Sequence, residues 1–445
     1  MKTNYLERMR DYLQDEYEEF LMTIDKEMYK GLSVNTTKCS SSFVEENFPY
    51  KLTPSSFGEN CYLFDANVKA GSHWTHLAGL YYLQEPSAAS VVKALDIQEG
   101  DWVLDACAAP GGKSHQIACA LNNTGFLLSN EIDPKRANIL LSNMERCGVG
   151  ENMITCSPLE RLAPQIQGVF DKVLVDAPCS GEGMMKKHEL ASVEWSAENN
   201  LACQKRQLRI LDEAVSCLKE GGILVYSTCT YAIEENEAVI YEFLKRHPEM
   251  ELMDGGDHVK RRGLPYKDLD VSKVRRIYPM DGGEGHFFAK MRKKGGMKTS
   301  ILKYKKVKKI SPLAIEFIKE QSDLSLNLIE INNKVYARKE MFLDLDVNVL
   351  RQGIYTGEVV KNRFEPHQHF YMSSLLMSHY RHVIDMNKEE AQLFLSGNVF
   401  PYEQKGYVCC SYKHIPLGYG KGDGTQIKNK YPKGLRTLKA FDRTD

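Results

Sequence analysis

Two cysteines stand where a thiol contributes little to packing. Cys179 lies in Asp176-Ala-Pro-Cys-Ser-Gly-Glu-Gly183 and Cys229 in Ser227-Thr-Cys-Thr230, both polar, turn-forming segments that follow short apolar runs. Cys119 and Cys217 instead fall in helical patterns, where a thiol acts as a small hydrophobe. A loop thiol is a candidate nucleophile or metal ligand. Structural zinc needs four closely spaced Cys or His ligands, whereas 50 residues separate this pair and no CxxC accompanies it, so no metal is expected. A free thiol titrates near pH 8.5, so an attacking cysteine needs positive charge beside it, and Lys113 is the candidate.

Lys113 ends a second chemical motif, Leu104-Asp-Ala-Cys-Ala-Ala-Pro-Gly-Gly-Lys-Ser114, a strand end that turns through small residues into a helix beginning near Lys113. Small side chains let backbone approach a ligand, and a helix N-terminus favours negative charge. Gly112-Lys113-Ser114 also closes a Walker A pattern, but Cys107 occupies the position of its first glycine. Pro110 further removes a backbone donor from any phosphate cradle. S-adenosylmethionine is the better candidate: it needs close backbone approach, which Cys107, Ala108, Ala109, Pro110, Gly111, Gly112 and Lys113 offer. It also needs a carboxylate for its ribose hydroxyls, which Glu131 supplies at the end of the next strand. A dinucleotide places a similar acid about 20 residues on and stays open at this point.

A methyl donor beside two thiols suggests one reaction. Carbon 5 of cytosine becomes nucleophilic only after a thiolate adds at carbon 6. One cysteine would attack, the other would assist release, and Asp176 would hydrogen-bond the base edge and protonate it as charge develops.

The elements that must position these groups alternate. Trp102–Ala106, Phe126–Glu131, Val173–Asp176 and Ile223–Ser227 read as strands separated by helical patterns, which implies a doubly wound, Rossmann-like parallel α/β sheet. His286–Lys290 reads as its last strand, and the core spans residues 72–293. Residues 1–71 read as a small α+β module, residues 294–375 as a basic linker and middle domain, and residues 376–445 as a turn-rich, aromatic end. Helices are expected at Tyr5–Phe20, Ala88–Leu95 and Leu313–Gln321, and further strands at Tyr50–Leu52, Cys61–Phe64 and Val335–Arg338.

Composition agrees with a 445-residue soluble enzyme whose net charge is −1, although that neutrality is a cancellation. Residues 1–293 carry a net −10 and residues 294–445 a net +9, with ten Lys or Arg and no acid between Lys290 and Lys309. The basic third is expected to meet a polyanion, and removing it should weaken RNA binding while sparing the cofactor. Scattered cysteines, no signal-peptide pattern and no apolar run of 18 residues point to reduced thiols, a cytoplasmic location and no membrane span.

Taken together, the blocks Asp105–Ser114, Asn130-Glu131, Asp176–Gly183 and Ser227–Thr230 resemble the Sun-type RNA 5-methylcytosine methyltransferases, in that family's order and spacing. The resemblance implies that Cys229 is the nucleophile and Cys179 the release cysteine, and that Cys107 to Lys113, Glu131 and Asp176 line the S-adenosylmethionine site. Gly406-Tyr-Val408, Ile415–Lys421 and Lys430–Arg436 are similar to the PUA-like RNA-binding end of the bacterial members that act on 16S small-subunit ribosomal RNA, in which a ferredoxin-like N-terminal domain is also found. The implied partner is that RNA, free or within the small subunit or its precursor, met by a monomer. Transfer RNA is an alternative substrate, a DNA cytosine methyltransferase would use Cys179 to attack, and an RNA-binding assembly factor would use the cofactor site structurally.

Two departures stand out: Thr155–Glu160 carries no acid at the position that contacts adenine, leaving Glu160 as a substitute, and Thr230 replaces a commoner serine. His286, Trp195 and Met184-Met185 read as packing or loop structure, and Lys186 and Lys187 as possible RNA-backbone contacts. In the tail, Tyr407, Tyr412, Tyr419 and Tyr431 interleave with Lys413, Lys421, Lys430 and Arg436, a pattern that serves either RNA stacking or a small β-barrel core.

Overall fold

The computed structural model describes residues 3–24, 26, 29–184, 196–295, 302–306 and 309–441. Met185, Lys186, Lys187, Trp195 and part of the basic run lie outside the described residues. Four sheets carry the strands.

The first sheet has the order β2-β3-β1-β4, from β1 (Lys30–Val34), β2 (Thr53–Pro54), β3 (Cys61–Phe64) and β4 (Tyr81–Gln84). Because β4 pairs with β1, this module runs past residue 71, where the sequence reading ends it. Tyr50–Leu52 is not a strand; pairing begins at Thr53. Ahead of the sheet, the expected helix at 5–20 is two helices, Thr3–Leu13 and Tyr17–Ile24, broken where Gln14 adopts φ 45°.

The second sheet is the core, with the order β10-β12-β9-β8-β5-β6-β7-β15 and β11 beside β12. Its parallel part comprises β5 (Trp102–Asp105), β6 (Phe126–Glu131), β7 (Asn152–Cys156), β8 (Phe170–Asp176) and β9 (Leu218–Thr228). The strands β10 (Met250–Met253), β11 (Arg275–Ile277) and β12 (His286–Lys293) extend it antiparallel. Every residue of β6 is buried, as expected for a parallel strand covered on both faces. The pleat sorts the core into two: Leu104, Leu128 and Val173 enter one apolar cluster, Val103, Leu127 and Leu174 the other.

From β5 the chain steps to β6 on one side and returns to β8 on the other. The strand order therefore reverses at β5/β8, and the loops after those strands flank the crevice in which open α/β sheets bind ligands.

The strands β13 (Asn327–Ile331), β14 (Lys334–Arg338), β16 (Ile354–Val360) and β17 (Arg363–Pro366) form a third sheet. Between β14 and β16, β15 (Val349–Gln352) leaves to pair antiparallel with β7, so the 294–375 segment supplies an edge of the catalytic sheet rather than forming a separate body. The fourth sheet, of order β18-β20-β21-β22-β19, contains β18 (Val383–Met386), β19 (Phe400–Pro401), β20 (Lys405–Tyr412), β21 (Ile415–Asp423) and β22 (Gln426–Asn429). Its Ile384, Val408 and Leu417 share one apolar cluster with Leu32, Phe64 and Trp74 of the N-terminal module, and the Trp74 amide donates to the Ala440 carbonyl.

Candidate active site

Gly111, at φ 114°, caps the helix Gly112–Leu121, and its backbone conformation is one that side chains resist. The loop before it is tied back to the protein: the Ala109 carbonyl accepts from Arg136 at 2.7 Å, and the Pro110 carbonyl from Tyr82 and Asn143 at 3.0 and 2.9 Å. The first amides of the helix, by geometry, have no intrahelical acceptor and are left for a ligand. Cys107 is no nucleophile: burial and the charges of Asp105, Glu131 and Asp176 push its thiol well up.

Glu131 ends β6, is 2% exposed, and accepts the Ile132 and Asp133 amides on Oε1. Its Oε2 has no hydrogen-bond donor, with the Arg136 guanidinium 3.5 Å away. A buried carboxylate oxygen held open beside a glycine loop suits a ribose diol, so the residues fit S-adenosylmethionine. Glu160, by contrast, is exposed, and the neighbouring Thr155 hydroxyl is spent on Asn130 Oδ1 at 2.8 Å.

Across the crevice, Lys113 Nζ donates to Asp176 Oδ2 at 2.8 Å, and Ser227 Oγ donates to Asp176 Oδ1 at 2.7 Å. Burial works against the Asp176 charge, but Lys113 and His286 outweigh it and hold its carboxyl below the ordinary range. Burial likewise opposes the Lys113 charge, and Asp176, Cys229 and Asp105 overcome it, so the ammonium persists. At rest the pair is an ammonium facing a carboxylate.

Cys179 and Cys229 meet: their sulfurs are 3.2 Å apart, and both are free thiols. The hydrogen bond to Cys229, with burial, raises Cys179 well above a normal thiol. Behind the pair, Ser180 donates its amide to Glu235 Oε2 at 3.0 Å and its hydroxyl to Oε1 at 2.5 Å. With its own proton spent, the Ser180 hydroxyl accepts from Thr230 at 2.9 Å. Gln207 bridges Glu235 and the Pro178 carbonyl, at 2.8 and 3.2 Å. The Gly183 amide donates to the Cys229 carbonyl at 2.9 Å. Glu182, 2% exposed, accepts from Arg8 of the first helix at 2.5 Å and from the Tyr231 amide at 3.2 Å.

The sequence-derived residues thus converge, and a supporting shell that lies outside the motifs joins them, Arg8, Glu235 and Gln207, along with Glu182 from within the Asp176–Gly183 block. Glu235 has a local signal, a charged residue six positions after Cys229 beyond an apolar stretch, whereas Arg8 has none. The tail tyrosines are largely core: Tyr431 is 3% exposed, Tyr419 stacks on Tyr371 at 4.7 Å, and Tyr412 packs edge-on against Trp74 at 5.0 Å. Lys413, Lys421, Lys430 and Arg436 are exposed. Among the described residues, no three His, Cys, Asp or Glu are placed to hold a metal ion, and no helix is long and apolar enough to cross a membrane.

The chain is similar to known proteins. The family model for the 16S rRNA methyltransferase RsmB/F matches residues 92–292, the N-terminal domain of 16S rRNA methyltransferase RsmF matches residues 1–86, and the RsmF PUA domain matches residues 381–437. Ribosomal RNA small subunit methyltransferase F of Citrobacter koseri is 30% identical over 99% of this chain and 98% of its own length. That of Shigella boydii serotype 18 is 31% identical over 97% and 95%. Among solved structures, a methyltransferase homologue from Pyrococcus horikoshii, 28% identical, superposes with a TM-score of 0.58 over 66% of this chain and 95% of that one. NSun6 from Pyrococcus horikoshii, solved with SFG, is 20% identical and shares the fold at a TM-score of 0.58, over 66% of this chain and 99% of that one. The chain belongs to the 16S rRNA methyltransferase RsmB/F family and is an S-adenosylmethionine-dependent methyltransferase.

Proposed function

We propose that the enzyme forms 5-methylcytosine in small-subunit ribosomal RNA through a covalent bond between Cys229 and carbon 6 of the base. The observation that carries this reading is the thiol pair at the carboxyl ends of β8 and β9, beside the Lys113–Asp176 pair.

Lys113 is close enough to Cys229 for their charges to interact. The Cys229 thiolate adds to carbon 6, forming the C–S bond and pushing electrons onto carbon 5. Lys113, paired with Asp176, carries the proton that the base edge takes up as charge develops there. Cys107 to Lys113 and Glu131 hold S-adenosylmethionine, which when bound supplies an electrophilic methyl group. After carbon 5 is alkylated its proton passes to a base, the C5–C6 double bond re-forms, the C–S bond breaks with its electrons returning to the Cys229 sulfur, and the base edge returns its proton to Lys113. Cys179 donates a hydrogen bond to the departing Cys229 sulfur. One chain contains every group named, so a monomer suffices.

The exposed lysines of the C-terminal domain support RNA as the partner, since phosphate contacts dominate such affinity. Cys229→Ala is expected to abolish methyl transfer, and Cys179→Ala to accumulate a protein–RNA adduct that survives denaturation. Methyl transfer by Cys229→Ala would overturn the assignment. Bisulfite mapping of 16S ribosomal and transfer RNA from cells with and without the enzyme identifies the substrate; loss of 5-methylcytosine from transfer RNA alone would overturn the ribosomal reading.

A further inference from the structure

Taking the covalent reading above as its basis, we propose that His286 is the base that removes the carbon-5 proton, its ring set for that task by Ser87 and Glu85. Cys179 is engaged by Cys229 and Asp176 by Lys113 and Ser227, so neither stands free to accept that proton.

His286 opens β12, which pairs antiparallel with β9. The last residues paired between β12 and β9 are Phe287 and Thr228, so the same register carried one step on sets His286, itself paired with Ile277 of β11, opposite Cys229. The surrounding loops touch: a methyl group on Gly183 would meet the carbonyls of Cys229 and Gly285 at 3.0 Å. The ring is 7% exposed and lies near enough to Asp176 for the two groups to interact.

The proton positions on the ring follow from its partners. The Glu85 carboxyl, which burial alone would raise, is held at about 2 by His286, Ser87 and the Glu284 amide, so it only accepts hydrogen bonds. The Ser87 hydroxyl lies 2.5 Å from Glu85 Oε2 and gives its one proton there. Toward His286 Nδ1, 2.9 Å away, Ser87 Oγ can only accept, and Nδ1 is also 3.3 Å from Glu85 Oε2. Nδ1 therefore carries the ring proton, and in the neutral imidazole Nε2 carries the lone pair. Nε2 has no partner among the described residues. The C5–H bond breaks toward Nε2, its electrons re-form the C5–C6 double bond, and Cys229 leaves with the electrons of the C–S bond.

The test uses full-length enzyme, S-adenosylmethionine and a 16S ribosomal RNA transcript labelled with tritium at cytosine C5. His286→Ala is expected to form the methylated protein–RNA adduct at near the parental rate but to release tritium at least 100-fold more slowly, and added imidazole should restore release. Tritium release at the parental rate, or a defect that imidazole leaves unchanged, would overturn the proposal. If His286→Ala does not fold, Ser87→Ala serves instead: it must slow tritium release more than adduct formation, and equal slowing of both would overturn the proposal. Failure of the covalent reading looks different, because no adduct then forms in any variant, including Cys179→Ala.

Discussion

The front and the back of the cysteine pair are built from different electrostatics. In front, Lys113 and Asp176 face each other as a charged pair, with side chains 11% and 29% exposed. Behind, Glu235 is fully buried, and the partners that bond its carboxylate, Ser180 and Gln207, are all neutral. Burial pushes the Glu235 carboxyl up, whereas Asp176, facing an ammonium, is held down. The difference teaches a division of labour. Charge that must respond to a substrate is paired with opposite charge and left within reach of solvent, while charge that holds two loops together is buried among hydroxyls and amides.

Lys113→Gln breaks the front and should have the largest effect: methyl transfer falling by about 100-fold or more, with methyl-donor binding weakened as well. Loss of folding without loss of turnover per folded molecule would erase the distinction. Glu235→Ala breaks the back and should lower stability by about 1–3 kcal/mol, because the donors of Ser180 and Gln207 lose their acceptor. Glu235→Gln, which keeps an acceptor oxygen, should cost less, and denaturant titration of both variants checks the order. A Glu235→Gln enzyme that was stable yet inactive would move Glu235 to the front.

Asp105 sharpens the comparison through pH. It lies beneath the glycine loop, fully buried, and burial lifts its carboxyl to about 7 even though Ser114 donates to it at 2.7 Å. The folded state therefore binds this proton more tightly than the unfolded chain does. Its stabilising contribution is complete below about pH 4 and is lost as pH rises through about 7, with a slope of at most about 1.4 kcal/mol per pH unit. Denaturant midpoints across that window should decline for the parent and flatten in Asp105→Asn. The smallest effect belongs to the far surface: Lys421→Glu with Lys430→Glu should weaken RNA binding several-fold and reduce its salt dependence, leaving methyl-donor binding unchanged in calorimetry.

What the sequence disclosed follows from distance along the chain. The glycine loop, Glu131 and the two cysteines are each read within a few residues of a strand end, because the strand fixes where its own loop emerges. Their convergence was legible too, since alternating strands and helices imply a switch point. The Glu85–Ser87–His286 relay was not, because it joins groups 199 residues apart through a register that only the folded sheet reveals. The tail tyrosines were left open for a related reason: an aromatic among lysines has the same pattern whether it stacks on a base or on Tyr371. The helix break at Gln14 and the departure of β15 depend on tertiary packing and leave no local signature.

That departing strand has a mechanical consequence. Because β15 is hydrogen-bonded to β7, and the N-terminal module shares an apolar cluster with the C-terminal sheet, the RNA-facing end is spliced into the catalytic framework at two places. If the tail grips RNA as proposed, it works as a fixed ruler rather than a tethered hand, presenting the target at a set distance from Cys229. Truncation after residue 293 would not simply remove a handle, since it would strip β15 and leave the β7 edge open to other strands. Surface charge reversal is therefore the cleaner way to separate gripping from chemistry.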